Sequence, residues 1–226
     1  MDADPLKAVG RENLSSRVYS EIRTAVMNGQ YAPGDRLRFN DLAKQLGVSI
    51  TPVREAIFRL VSEQALEMKA ATAVTVPVIT VKQLREIRMI RHLLEGTAAE
   101  RAAELITDEQ LRELEDLQER FIAAAAVDPK LASRLNREFH FALMSVAEMP
   151  YLYSIVESLW AIMGPLFQIF HIRMPKRELL RNRHHHAKIL NALRNRDGQA
   201  AREALQDDIA WGQPMIDWLE ERERQP

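Results

Sequence analysis

Two imidazoles, a carboxylate and an amide sit on helix faces that otherwise carry hydrocarbon. Asn136 and His140 are four residues apart beside the stripe Leu135, Phe139 and Ala142, so both project from one helix face. His186 falls on the stripe of Ile189, Leu190 and Leu193. Asp208 falls on that of Ala201, Ala204, Leu205, Trp211 and Met215. A carboxylate on an apolar face is costly to bury unless a cation or metal ion compensates it. Converging from three helices, these four residues would make a site for a divalent transition metal, zinc or nickel. A lone histidine in such a place would read as a satisfied core residue; the set of four tips the balance towards a metal. His184 and His185 complete a triplet with His186, and the apolar periodicity selects His186 as the inward member. His92 and His171 read as structural or surface residues.

Arg91 is the second polar intruder, on the face Leu84, Ile87, Leu94 and Ala98. Glu95, one turn further on, could pair with it as a half-buried intrahelical ion pair. The alternative is an anion receptor, because a guanidinium matches a carboxylate bidentately and a low dielectric strengthens the contact.

A third constellation lies near the N-terminus. Val18, Ile22 and Val26 mark one face of a helix that stops near Asn28-Gly29, and Pro33-Gly34 turns the chain. A short helix over 41–46 follows, with Leu42, Ala43 and Leu46 inward. Gly47 allows a tight turn, and Ser49 or Thr51 caps a third helix that buries Val53, Ala56, Ile57 and Leu60. That leaves Ser49, Thr51, Arg54 and Arg59 on other faces. This is the grammar of helix-turn-helix DNA binding: free N–H groups and a positive dipole face phosphate, and Arg54 sits one turn in. Leu66 to Lys69 and Val74 to Val76 read as the two strands of a wing. The bland alternative is a small packing module with solvated arginines.

The elements behind these residues divide unevenly. The expected fold is mainly α, with an N-terminal winged helix-turn-helix DNA-binding domain over 1–78. A C-terminal all-helical antiparallel bundle follows over 79–226. The expected linker runs from Pro77 to Val81, since the residue before a proline avoids the helical region. Six helices are expected in the second half, about 82–104, 107–125, 129–148, 151–171, 175–196 and 198–222. Thr107 and Asp108 signal one start, and Pro129, Pro150 and Pro175 sit where others begin.

Composition sets the outer limits. The 226 residues carry 31 Lys+Arg and 32 Asp+Glu, a formal net charge of −1, which excludes a histone-like or polybasic protein. With 46% hydrophobic residues the chain is not an acidic disordered one. The absence of cysteine removes disulfides, thiolate zinc sites and cysteine catalysis, and fits a reducing cytoplasm. Met1 to Gly10 does not read as a signal peptide, and no membrane span is expected. Within 11–59 the basic residues number 8 against 5 acidic ones, a local excess that the total conceals.

The motif residues carry a resemblance. Val18-Tyr19, Ile22-Arg23, Val26-Met27-Asn28-Gly29 and Pro33-Gly34-Asp35-Arg36-Leu37 lead, without a gap, to the unbroken run Leu42 to Ala56. Together they resemble the GntR superfamily of bacterial transcription regulators. The resemblance implies that Ser49, Thr51 and Arg54 face an operator, with Arg36 and Arg38 as nearby phosphate contacts. Ile50 stands where the family usually has a DNA-touching arginine, and could instead pack against a thymine methyl. The wing tip Ala70-Ala71-Thr72-Ala73 lacks the usual glycine.

The second half is similar to the helical FCD effector domain of the FadR-type subgroup. The supporting residues are Arg91 with Leu94-Glu95, Phe139-His140, His186 with Ile189-Leu190, and Asp197 with Ala200-Ala201. Many members hold a metal with one Asp and three His, at positions that map onto Asn136, His140, His186 and Asp208. Here the carboxylate has changed helices. The resemblance implies a small organic acid bound beside the metal, with Arg91 and, as a second candidate, Arg173 reaching it. It also implies a homodimer on a pseudo-palindromic, double-stranded operator. The expected function is a ligand-responsive transcription regulator and not an enzyme. The rivals are a metal sensor without an organic effector and a metal-dependent hydrolase.

Overall fold

The computed structural model describes residues 14–70, 73–125, 127–173, 185–210 and 212–224. In the head, α1 (Leu14–Met27) leads through β1 (Arg36–Leu37) to α2 (Phe39–Leu46) and α3 (Ile50–Ser62). The strands β2 (Glu67–Ala70) and β3 (Ala73–Thr75) complete it. The sheet is antiparallel in the order β1-β3-β2, with Leu37 opposite Val74 and Met68 opposite Val74 on the other side. The expected wing is therefore β2 and β3, with its tip at 71–72 outside the described residues. The two-residue β1 was not expected as a strand; Leu37, expected only as an apolar anchor, is buried at its end.

The α2–α3 turn depends on Gly47, whose φ of 66° lies in the left-handed region. Its N–H closes onto Ala43 and Lys44 carbonyls. Val18, Ile22 and Val26 of α1 share one core with Val53, Ile57 and Leu60 of α3 and Val74 of the wing.

Residues 76–80, without helix or strand, lead into the bundle of α4 (Val81–Leu105), α5 (Asp108–Ala125), α6 (Pro129–Val146), α7 (Pro150–Arg173), α8 (His185–Arg194), α9 (Gly198–Ala210) and α10 (Gln213–Arg224). Thr80 starts α4 with a capping box: its hydroxyl accepts from Gln83 N, and Gln83 Oε1 accepts from Thr80 N. Thr107 and Gln110 repeat the device before α5. Asp128 caps α6, with Pro129 in its first turn.

One expectation needs correction. The helix expected over 198–222 is two helices, α9 and α10. Gly212 and Pro214 carried the signal, since proline removes an intrahelical donor and glycine weakens a helix interior. The helix expected to start at Pro175 is described only from His185, and 174–184 lie outside the described residues.

By length and composition α7 could cross a membrane over Pro150–Phe170, but half of that stretch is buried inside the protein. It is the central core helix. Val156 and Trp160 join the bundle core, Met163, Leu166 and Phe170 pack with α4 and α10, and Ala161 enters the core of the head. The head docks on this helix closely: a Cβ on Gly164 would lie 2.5 Å from the carbonyl oxygen of Met27.

Candidate metal centre and nucleic-acid interface

The bundle brings His140 of α6, His186 of α8 and Asp208 of α9 together, with one candidate donor atom from each within 4.8 Å of the others. His140 is 1% exposed and His186 fully buried. His140 Nε2 lies 3.2 Å from Asp208 Oδ2, and His186 Nε2 lies 3.7 Å from Oδ1. Donor atoms each 2.0–2.1 Å from a tetrahedral ion stand about 3.3 Å apart, so both contacts to Asp208 are near that spacing and the set as a whole would draw in around an ion. Asn136 lines the same cavity one turn before His140. Thus three of the four sequence-selected residues come together, Asn136 lines the cavity that His140 and Asp208 share, and His186 is fully buried where His185 is only half-buried.

Both rings are held through their far nitrogens. His140 Nδ1 is 2.7 Å from Glu95 Oε2, and His186 Nδ1 is 2.7 Å from Gln118 Oε1. Each contact makes Nδ1 the donor and leaves Nε2 turned to Asp208, the orientation a metal-binding imidazole needs. Phe139 stacks on His186 with ring centroids 4.0 Å apart. The sequence reading missed Glu95 and Gln118 as the partners of these two rings. Glu95 was seen only as the partner of Arg91, and Gln118 carried no local signal, being 68 residues from its histidine.

Glu95 is the hub. Fully buried, it accepts from Arg91 Nε at 2.6 Å and Trp160 Nε1 at 3.2 Å as well as from His140. Burial alone would raise its carboxyl, but Arg91 and His140 outweigh burial and lower it from 4.5 to about 2. Burial likewise disfavours the His140 imidazolium; Glu95 and Asp208 prevail and lift it from 6.5 to about 9. Without a metal, therefore, His140 is cationic at neutral pH.

Arg91 is the ion pair of the first alternative, and more deeply buried than expected. Its guanidinium also lies 4.1 Å over the Trp160 ring and donates to Met163 Sδ. It still lines the cavity, whose volume is about 50 Å³, together with Arg88, which was not singled out from the sequence. Arg88 donates to Gln213 Oε1, a neutral partner. Met215 and Ile216 of α10 wall the cavity. Arg173 ends α7, and its side chain lies outside the described residues.

On the head, Arg36 of β1, Arg38 just before α2, and Ser49, Ile50, Thr51 and Arg54 at the start of α3 are all exposed. Ser49 occupies the N-cap by its extended backbone, yet its hydroxyl makes no capping bond, unlike the cap expected from the sequence. The Arg54 guanidinium lies 5.9 Å over the ring of Phe39, which holds it beside the helix start. Ile50 and Phe58 present apolar surface on the same helix, 38% and 49% exposed.

Comparison with known proteins agrees with both halves. Residues 14–76 match the model of the bacterial regulatory proteins of the gntR family, and residues 86–210 that of the FCD domain. The HTH-type transcriptional regulator McbR of Escherichia coli (strain K12) is 36% identical over 203 residues, 88% of this chain and 92% of that protein. The HTH-type transcriptional repressor RspR of the same strain is 28% identical over 194 residues, 85% of this chain and 84% of that one. The solved structure of E. coli McbR/YncC superposes with a TM-score of 0.84 at 34% identity, covering 93% of this chain and 99% of that one. These relatives are transcription regulators, so the hydrolase alternative falls. A winged head joined to a helical bundle, matched along both parts, places this chain in the GntR family of bacterial transcription regulators with an FCD domain.

Proposed function

We propose that this GntR regulator binds its operator as a homodimer and is switched by a small carboxylate anchored beside a divalent metal in the bundle cavity. The observation that carries the reading is the paired tethering of His140 and His186, each held at Nδ1 with Nε2 turned to Asp208. His140, His186 and Asp208, with the Asn136 amide, would hold zinc or nickel. The ion would supply a Lewis-acidic anchor for an oxygen ligand. Its two charges against the single charge of Asp208 leave the loaded centre positive, while Arg91 and Glu95 cancel each other. Arg88 adds a cation at the cavity wall. An anion is therefore the complementary ligand, and a small one, given about 50 Å³ of space.

Arg36, Arg38, Ser49, Ile50, Thr51 and Arg54 are the proposed operator contacts. Arg36 and Arg38 serve phosphates, and the start of α3 serves base edges in the major groove. Exposed apolar residues support the dimer: Met89 and Leu93 lie one turn apart on α4, 59% and 53% exposed, and Tyr151 and Ile155 on α7, 87% and 52%.

The small cavity also favours a second reading, in which the metal alone is the effector. One titration decides between them. Operator affinity of metal-stripped protein is measured against zinc or nickel, with and without a panel of small carboxylic acids. An affinity that moves only with metal and acid together supports the main reading, and one that moves with metal alone supports the second. If neither ion raises the melting temperature, and His186→Ala melts identically with and without metal, the metal site is withdrawn.

A further inference from the structure

A second, larger cavity lies where the head meets the bundle. Its volume is about 430 Å³, and its walls come from the end of α1, from α6 and from α7. The α6 wall is basic, with Lys130, Arg134 and Arg137. Asp128 is the one carboxylate in the lining, and it is engaged at the start of α6 by the amides of Lys130 and Leu131. Arg134 lies 3.5 Å from Glu138. Arg137 is held differently: it donates at 2.7 Å to Asn28 Oδ1, a neutral amide at the end of α1, and no carboxylate pairs with it among the described residues.

We propose that this cleft is a second ligand site, specific for a small anion, carboxylate or phosphate, which binds Arg137 with Lys130 and Arg134 at the mouth. Asn28 offers the Arg137 guanidinium a neutral acceptor, whereas an anion brings a full opposite charge to it, so the anion competes with Asn28 and takes Arg137 from it. That exchange releases a tether between the bundle and the helix that supports α3. The site is separate from the metal cavity but in contact with it. Phe167 lines both cavities, and Trp160 lines the cleft while lying under Arg91 and donating to Glu95. The cleft also admits a larger molecule than the metal cavity does.

The test uses the full-length, metal-stripped protein and isothermal titration with inorganic phosphate, succinate and citrate. At least one probe is expected to bind once per chain. Lys130→Gln with Arg134→Gln should weaken it at least tenfold, and Arg137→Gln should abolish it. His186→Ala, at the candidate metal centre, should leave it within twofold. Lys130 and Arg134 are exposed, so a loss in their double variant is not a folding defect. Binding of phosphate alone or of the carboxylates alone identifies the class. The proposal is overturned if no probe binds, if the cleft variants bind as wild type does, or if His186→Ala abolishes binding while the cleft variants do not. Because binding is read directly, the result stands whether or not the metal reading holds.

Discussion

Glu95→Gln tests whether one buried carboxylate organises the candidate metal centre. Glutamine keeps the volume and one acceptor oxygen but removes the charge that Arg91 and His140 share. With its oxygen towards His140 Nδ1, its NH2 faces Arg91 Nε, donor against donor, where the carboxylate made a 2.6 Å hydrogen bond. Arg91, 4% exposed, is then a buried cation without its partner. Removing one member of a buried pair costs about 3–5 kcal/mol. For a chain of this length that lowers the melting temperature by about 6–20 °C. Loss of the support behind a metal-binding imidazole costs about 10–100-fold in metal affinity. Circular dichroism melts and zinc titrations of the metal-stripped protein read the two effects separately. Arg91→Met with Glu95→Gln should recover most of the stability, because no buried cation remains, and little of the metal affinity, because His140 still lacks its carboxylate. If Glu95→Gln melts within 2 °C of wild type and binds zinc equally well, the carboxylate is not the organiser described above.

The remaining predictions are as direct. Arg54→Ala should weaken operator binding by about 1–3 kcal/mol, about 5–150-fold in a gel-shift titration, with the melting temperature unchanged. Arg36→Gln and Arg38→Gln should each lower the salt slope of operator affinity by about 1, whatever the operator sequence. Gly164→Ala puts a methyl group against the backbone of Met27 and should cost about 1–3 kcal/mol, read by melting and by faster proteolysis within 76–80. For pH, the folded Glu95 is lowered from 4.5 to about 2, so its contribution is full above 4.5 and is lost as pH falls through 2. The folded His140 is raised from 6.5 to about 9, so its contribution is full below 6.5 and is lost as pH rises through 9. Melting temperatures of the metal-free protein should therefore fall on both sides of the 4.5–6.5 window. Zinc binding at pH 7 should release a proton, measured by titration in buffers of differing ionisation enthalpy.

What the sequence disclosed follows from the range of each interaction. Helical periodicity acts within a few residues, so it chose His186 from a triplet, paired Asn136 with His140 and laid out the α1–α3 core. The Arg91–Glu95 pair was equally local. The partners that tether the imidazoles are not: Glu95 reaches His140 across 45 positions and Gln118 reaches His186 across 68. Nothing in a helical pattern distinguishes a glutamine on such an errand from one facing water. The break before α10 is a different case. Gly212 and Pro214 were legible, but a continuous apolar stripe through Trp211 and Met215 masked them. The break matters, because α10 turns back to wall the cavity with Met215 and Ile216.

The route from cavity to head is set by one stretch of α7. Trp160 contacts Glu95 and Arg91 on the site side; the next residue, Ala161, is buried in the core of the head; and Gly164 meets the backbone of Met27. A side chain at the α1–α7 contact could absorb a small shift by changing rotamer, but backbone against a glycine cannot. A displacement of this stretch of α7 would therefore pass to α1. There Val18, Ile22 and Val26 share a close-packed core with Val53, Ile57 and Leu60 of α3, so α3 moves with α1. The salt link of Arg23 to Glu157, at 2.5 Å, ties the same two helices a little further along. Rigid transmission alone does not make a switch: an effector changes operator affinity only by as much as it prefers one pose of the head over the other. The Arg137–Asn28 hydrogen bond is a contact that can differ between two poses without unpacking either core. Asn28→Ala should therefore shift operator affinity in the same direction as the anion proposed for the cleft does and shrink the further change that anion produces. An unchanged response to that anion in Asn28→Ala would mean that the poses differ at some other contact.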